Sequence, residues 1–185
     1  MRKKLLKFLA LSLAFVLCVP TAGAARRGEE MVRVGLAYGS GALVGANLEN
    51  NTGYGSGYRF GYFDEDLRFE ELARCMCLRG AKVLFVPAAF NMTTGPAHWE
   101  LLFRQRAVDN QCFTVGVSPA RDTRGPYVAY GNSIAVDPWG TVLCRAGAEE
   151  TALYADLDMD RLEAVRAQLP ILSARRTDLY EVRER

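Results

Sequence analysis

Histidine is almost missing from this 185-residue chain: His98 is the only one, so any mechanism that needs two imidazoles is excluded. Cysteine is sparse as well. Cys18, Cys75, Cys77, Cys112 and Cys144 are too few for a disulfide-dense scaffold, and no second Cys/His pair stands at zinc-type spacing. Beyond residue 7 the only lysine is Lys82. No apolar run approaches the ~20 residues that span a bilayer, and no GxSxG nucleophile elbow occurs. Charge of one sign is lacking too, with 23 Lys+Arg against 21 Asp+Glu and a net charge of +2. What remains, 50% hydrophobic and 24% charged, suits a globular domain and excludes a disordered tail or a collagen-like repeat.

Residues 1–24 stand apart. Arg2, Lys3, Lys4 and Lys7 precede an apolar run from Phe8 to Val19, and Ala22-Gly23-Ala24 has the small-x-small pattern of a signal-peptidase site. This segment is expected to be a signal peptide that sends the chain to the cell envelope or outside the cell. Its removal takes away four bases and no acid, leaving 19 bases against 21 acids. Long-range attraction to nucleic acid then has no basis, and none is expected as a partner.

Residues 25–64 form a Gly-rich lead. Met31 to Tyr38 alternates Val32, Val34 and Leu36 with small or polar residues, which predicts a strand. Tyr54, Tyr58, Phe60 and Tyr62 are spaced for one face of a hairpin. Gly39, Gly41 and Gly45 read as turn glycines, because the segment after them is too poor a helix for a phosphate-binding loop.

From Asp66 the pattern changes. A helix is predicted over Leu67 to Leu78, ended by Arg79-Gly80. Lys82 to Ala88 is a continuous apolar run of the kind found in strands buried on both faces. Pro96 can open the next helix, continued by Trp99, Leu102, Phe103, Arg106 and Ala107. Strands follow at Cys112 to Val117, Ser133 to Val136, Val142 to Cys144 and Leu153 to Leu157, then a helix over Met159 to Gln168 ended by Pro170. Asp137-Pro138-Trp139-Gly140 is a turn. The order implies an α/β layer architecture.

Side chains able to do chemistry have structural readings beside them. Cys75 and Cys77 lie two apart on a predicted helix, so they face different ways and suit packing better than metal binding; Cys112 and Cys144 also suit packing. His98, at a helix start, is expected to bond neighbouring backbone rather than to act as a base. No cofactor and no metal is expected.

The stretch DLRFEELARCMCLRGAKVLFVPAAFNMTTGPAHWELLFRQRAVDNQ, continued by VSPARD, YVAYGNSIAVDPWGTVLCRAGAEET, YADLD and RRTDLYEV, resembles the carbon-nitrogen hydrolase (nitrilase) superfamily, in its ω-amidase branch. The resemblance implies a partial αββα sandwich over residues 65–182. It also implies an amide hydrolase acting through a cysteine thioester on short dicarboxylic acid monoamides, and a homodimer. The nucleophile of the family sits in GxCYDxRFPE, and here Asp64 occupies the cysteine position. A carboxylate forms no thioester, so no catalytic residue is assigned and the chain is expected to be inactive alone. The family's base and lysine precede that cysteine, so Lys82 cannot be the family lysine. Arg68 matches the arginine that meets a substrate carboxylate, and Phe90 and Thr94 match pocket-lining positions, so these three are expected to bind substrate.

Residues 30 to 64 resemble, more faintly, the start of secreted sporulation- or cell-wall-associated bacterial proteins. FDEDLRFEEL fits the end of that pattern and the start of the amidase pattern together, which suggests a junction of two coding segments. The alternative reading is therefore a non-enzymatic exported cell-envelope protein, or a chimeric product without a defined role.

Overall fold

The computed structural model describes residues 66–183 and two earlier strands, β1 (Phe15–Cys18) and β2 (Met31–Ala37). The rest of the expected signal segment, the aromatic hairpin, the glycines at 39, 41 and 45, and Asp64 lie outside the described residues.

The helix expected over 67–78 divides in two. Asp66–Arg68 is a 3-10 turn, Phe69 is extended, and α1 runs from Glu70 to Leu78. Glu70 and Glu71 place negative charge at its positive end, and Glu70 also pairs with Arg74 one turn on at 2.8 Å. The helix closes as Arg79-Gly80 predicts. Gly80 adopts φ +96°, which lets its amide return to the Cys77 carbonyl while the Ala81 amide returns to Met76, each at 3.0 Å.

β3 (Val83–Pro87) and β4 (Phe113–Val117) pair in parallel, joined by α2 (Gly95–Asn110) as the crossover that parallel pairing needs. β5 (Ile134–Val136) and β6 (Val142–Arg145) extend the sheet antiparallel, in the order β3-β4-β5-β6. Between β5 and β6 the expected turn forms around Asp137, whose carboxylate accepts from the Trp139 and Thr141 amides at 2.9 and 2.8 Å. β7 (Ala152–Asp158) pairs with β2 over seven residues, from Met31 opposite Asp158 to Ala37 opposite Ala152. β1 lies on the other edge of β2, antiparallel to it. α3 spans Met159–Gln168 as predicted, with Asp158 capping the Arg161 amide at 3.0 Å.

Alternation along β4 builds a core on each side of the four-stranded sheet. Phe113, Val115 and Val117 meet Leu157 of β7 and Leu162 of α3. Thr114 and Gly116 face α2, whose Trp99, Phe103 and Ala107 form a stripe at four-residue spacing, each 1% exposed or less. Gly116 is required there: a Cβ on it would stand 2.4 Å from Phe103 Cζ. Burial on both faces, expected of β3, belongs to β4 instead. β3 is an edge strand of this sheet. Its Leu84 and Val86 are buried while Val83 and Phe85 are half-covered and Pro87 is exposed, a position where a missing N–H is tolerated. Among the described residues no helix is long and apolar enough to cross a membrane.

Candidate functional site

Loops that follow parallel strands collect at one end of a sheet, where α/β proteins place ligands. Here the loop after β3 carries Phe90, Asn91 and Thr94, and α2 begins directly behind it. Asn91 shapes that loop. Its Oδ1 accepts from the Thr93 and Thr94 amides at 2.9 Å each and from Thr94 Oγ1 at 3.2 Å. The Phe90 carbonyl accepts from the Tyr130 amide at 2.7 Å, which ties the loop to the approach of β5. Tyr130 sits so close to α2 that a Cβ on Gly95 would stand 2.3 Å from its ring, so only glycine fits at the helix start.

Of the three residues expected to bind substrate, Arg68 and Phe90 are in contact, and Thr94 follows Phe90 in the same loop. Phe90 is 3% exposed, with its ring edge-on to Trp99 at 5.2 Å between centroids. Over the same ring lies the guanidinium of Arg68, its carbon 4.6 Å from the centroid. Thr94 precedes the first residue of α2 without a side-chain cap on the helix, and its carbonyl accepts from the His98 amide at 2.8 Å. Arg68 itself is exposed, and among the described side chains no carboxylate lies within ion-pair distance of it.

Two further side chains support Arg68, and neither was singled out for that role from sequence. His98 Nδ1 lies 3.2 Å from Arg68 Nη1, so the imidazole bonds a side chain 30 residues earlier rather than the neighbouring backbone expected of it. Arg106, 3% exposed on α2, donates from Nη2 to the Arg68 carbonyl at 3.1 Å. Burial disfavours its charged form and draws its pKa below the usual guanidinium value, with Asp109 opposing that. The only hint in the sequence is the i, i+4 spacing of Thr94, His98 and Leu102 with Arg106 on one side of α2.

The cysteines lie elsewhere. Cys75, Cys77 and Cys112 are buried, as expected of packing residues, and Cys144 is half-buried. A hydrogen bond with Cys77, reinforced by complete burial, pushes the Cys112 thiol well above its ordinary pKa. Cys112 precedes β4 and Phe90 follows β3, so these two residues sit at opposite ends of a parallel pair, about 16 Å of strand apart. No group of three or more metal-ligating side chains occurs among the described residues. The site is an open shelf. The concavities lie beside it, one of about 230 Å³ bounded by Gly95, Trp99, Glu100, Tyr130 and Arg145, and another of about 440 Å³ between α1 and the C-terminal tail.

An exposed guanidinium stacked on a buried aromatic, with a hydroxyl at the adjoining helix start, can hold a carboxylate and one polar group of a small molecule. Comparison with known proteins identifies the family. The carbon-nitrogen hydrolase pattern matches residues 60–167. The chain is 57% identical to the Omega-amidase NIT2 of Bos taurus over 117 residues, which is 63% of this chain and 42% of that protein. Identity to the Homo sapiens protein of that name is 53% over the same length. The chain thus spans less than half the length of these curated relatives. Among solved structures it resembles Nit3 of Saccharomyces cerevisiae, described as a member of branch 10 of the nitrilase superfamily. The TM-score is 0.62 at 36% identity, covering 78% of this chain and 59% of that one. It also resembles the C. elegans NitFhit protein, with TM-score 0.61 at 38% identity over 63% of this chain and 28% of that one. The fold is accordingly a mixed α/β, nitrilase-type one, and the chain belongs to the carbon-nitrogen hydrolase family, in its ω-amidase-like branch.

Proposed function

We propose that this chain carries the substrate-recognising part of an ω-amidase-like hydrolase and binds short dicarboxylic acid monoamides without hydrolysing them. The observation that carries the reading is Arg68, a cation stacked on Phe90, with Thr94 at the adjoining helix start. A carboxylate of the ligand takes the guanidinium, while Thr94 Oγ1 keeps lone pairs for the amide end. Turnover is not expected, because Asp64 stands at the position of the family's nucleophilic cysteine and a carboxylate cannot form the acyl-thioester. Export directed by residues 1–24 and homodimerisation belong to the same proposal.

Calorimetry with succinamate, run beside an ammonia-release assay, tests it. The expected result is binding to the full chain with no ammonia released, and loss of binding in Arg68→Ala. Unchanged binding in Arg68→Ala overturns the role of the arginine. Ammonia release that Asp64→Ala abolishes overturns the inactivity.

A further inference from the structure

A guanidinium has two edges that can grip a carboxylate with parallel N–H bonds: the end, through Nη1 and Nη2, and the side, through Nε and Nη2. This chain uses the side edge on its surface. Arg176 Nε and Nη2 reach the two oxygens of Asp178 at 2.8 and 2.6 Å, and Arg124 grips Asp122 in the same way at 3.0 and 3.2 Å. At Arg68 the nitrogen already engaged is Nη1, held by His98 at 3.2 Å. That bond engages one of the two N–H groups of Nη1 and leaves Nε and Nη2 without a partner among the described residues. The stack on Phe90 sets the plane of the guanidinium, and the bond to His98 sets its rotation within that plane.

We infer that His98 is a positioning residue, which turns the Nε/Nη2 edge of Arg68 toward an incoming carboxylate. The inference rests on the carboxylate-binding role of Arg68 given above. Its chemistry allows one arrangement. Arginine is always a donor, so His98 Nδ1 must accept, and the neutral ring must carry its proton on Nε2.

Among the described side chains no carboxylate competes for the guanidinium of Arg68. The loop at 91–94 contributes no charged side chain. On α2, Glu100 is engaged by Arg145 at 2.6 Å and lies 3.8 Å from Arg104. On α1, Glu70 is engaged by Arg74.

Because His98 is the only histidine, its imidazole can be read by ¹⁵N NMR without assignment ambiguity. At about pH 8, where model imidazoles are neutral, the full chain is expected to show the proton on Nε2 and an unprotonated Nδ1. A ring protonated on Nδ1 in the neutral state overturns the inference, whatever the chain binds.

Succinamate calorimetry at about pH 8 supplies the second readout, since the ligand carboxylate is ionised there. His98→Ala is expected to bind about three- to tenfold more weakly than wild type. His98→Asn, whose Oδ1 overlays Nδ1, is expected to restore binding. If Arg68→Ala abolishes binding while His98→Ala keeps wild-type affinity, the positioning role is refuted and the carboxylate site stands. If Arg68→Ala binds like wild type, the carboxylate site fails, and with it the consequence drawn for His98.

Discussion

Arg106 and Arg68 are tied head to back: the buried guanidinium of one donates across 3.1 Å to the main-chain carbonyl of the other. An interior cation thereby steadies the 3-10 turn from which the exposed cation projects. Arg106→Met keeps the length and packing of the side chain but removes the donor and the buried charge. This variant is expected to retain stability to within about 1 kcal/mol, because a poorly paired buried charge contributes little to folding, and to weaken succinamate binding. Arg106→Ala, which also opens a cavity, is expected to lose about 2–3 kcal/mol. Urea denaturation alongside calorimetry separates the two effects.

Thr94 offers the reverse separation. Its hydroxyl is one of three donors on Asn91 Oδ1, and the two backbone amides remain when it is removed. Thr94→Val is therefore expected to change stability by about 1 kcal/mol or less and to reduce succinamate affinity by a larger factor. Equal losses in both would assign Thr94 to the loop alone.

Gly116 lies beneath Phe103 with no room for a methyl group. Gly116→Ala is expected to destabilise the chain by about 1–3 kcal/mol through overpacking. Combining it with Phe103→Leu is expected to return part of that loss. Denaturation midpoints of the two single variants and the double variant measure the coupling.

The Cys112 thiol provides a pH signature. Its pKa is raised in the folded chain, chiefly by the hydrogen bond with Cys77 and then by burial, whereas an unfolded cysteine ionises near 9.0. The folded state therefore holds the proton more tightly. The stability this contributes is fully present below that value and is lost as pH rises through it toward the folded pKa. Melting temperatures are expected to fall as pH rises above about 9, and Cys112→Ala is expected to lessen that fall. The Cys77 thiol, shifted the opposite way by the same hydrogen bond, offsets part of the slope.

Local signals carried much of the fold. Asp158 before Met159 and Pro170 after Gln168 bracket α3, and the structure places that helix on the expected residues. The turn at Asp137 to Gly140 and the stop at Arg79-Gly80 are equally local, each decided by a glycine with positive φ. What depended on partners was less legible. Lys82 to Ala88 is apolar enough for a central strand, yet β3 lies at an edge, since sheet order is set by where α2 returns the chain. Leu67 has helical spacing with Leu72 and Met76, but the extended Phe69 separates it from α1. In the site, motif resemblance singled out Arg68, Phe90 and Thr94, of which the structure stacks Arg68 on Phe90 and turns the Thr94 hydroxyl to Asn91. His98 was misjudged because its partner lies 30 residues upstream in a turn, a distance that no periodicity encodes.

The ladder between β2 and β7 bears on export. β2 lies between β1 and β7, and β1 falls inside the segment expected to be cleaved. Under the proposed export, proteolysis after Ala24 would turn β2 from an interior strand into a border, baring the row from Val34 to Ala37 that β1 pairs. Such a border recruits another extended chain or self-associates unless something caps it. Cleavage there would thus lengthen a seam available for assembly.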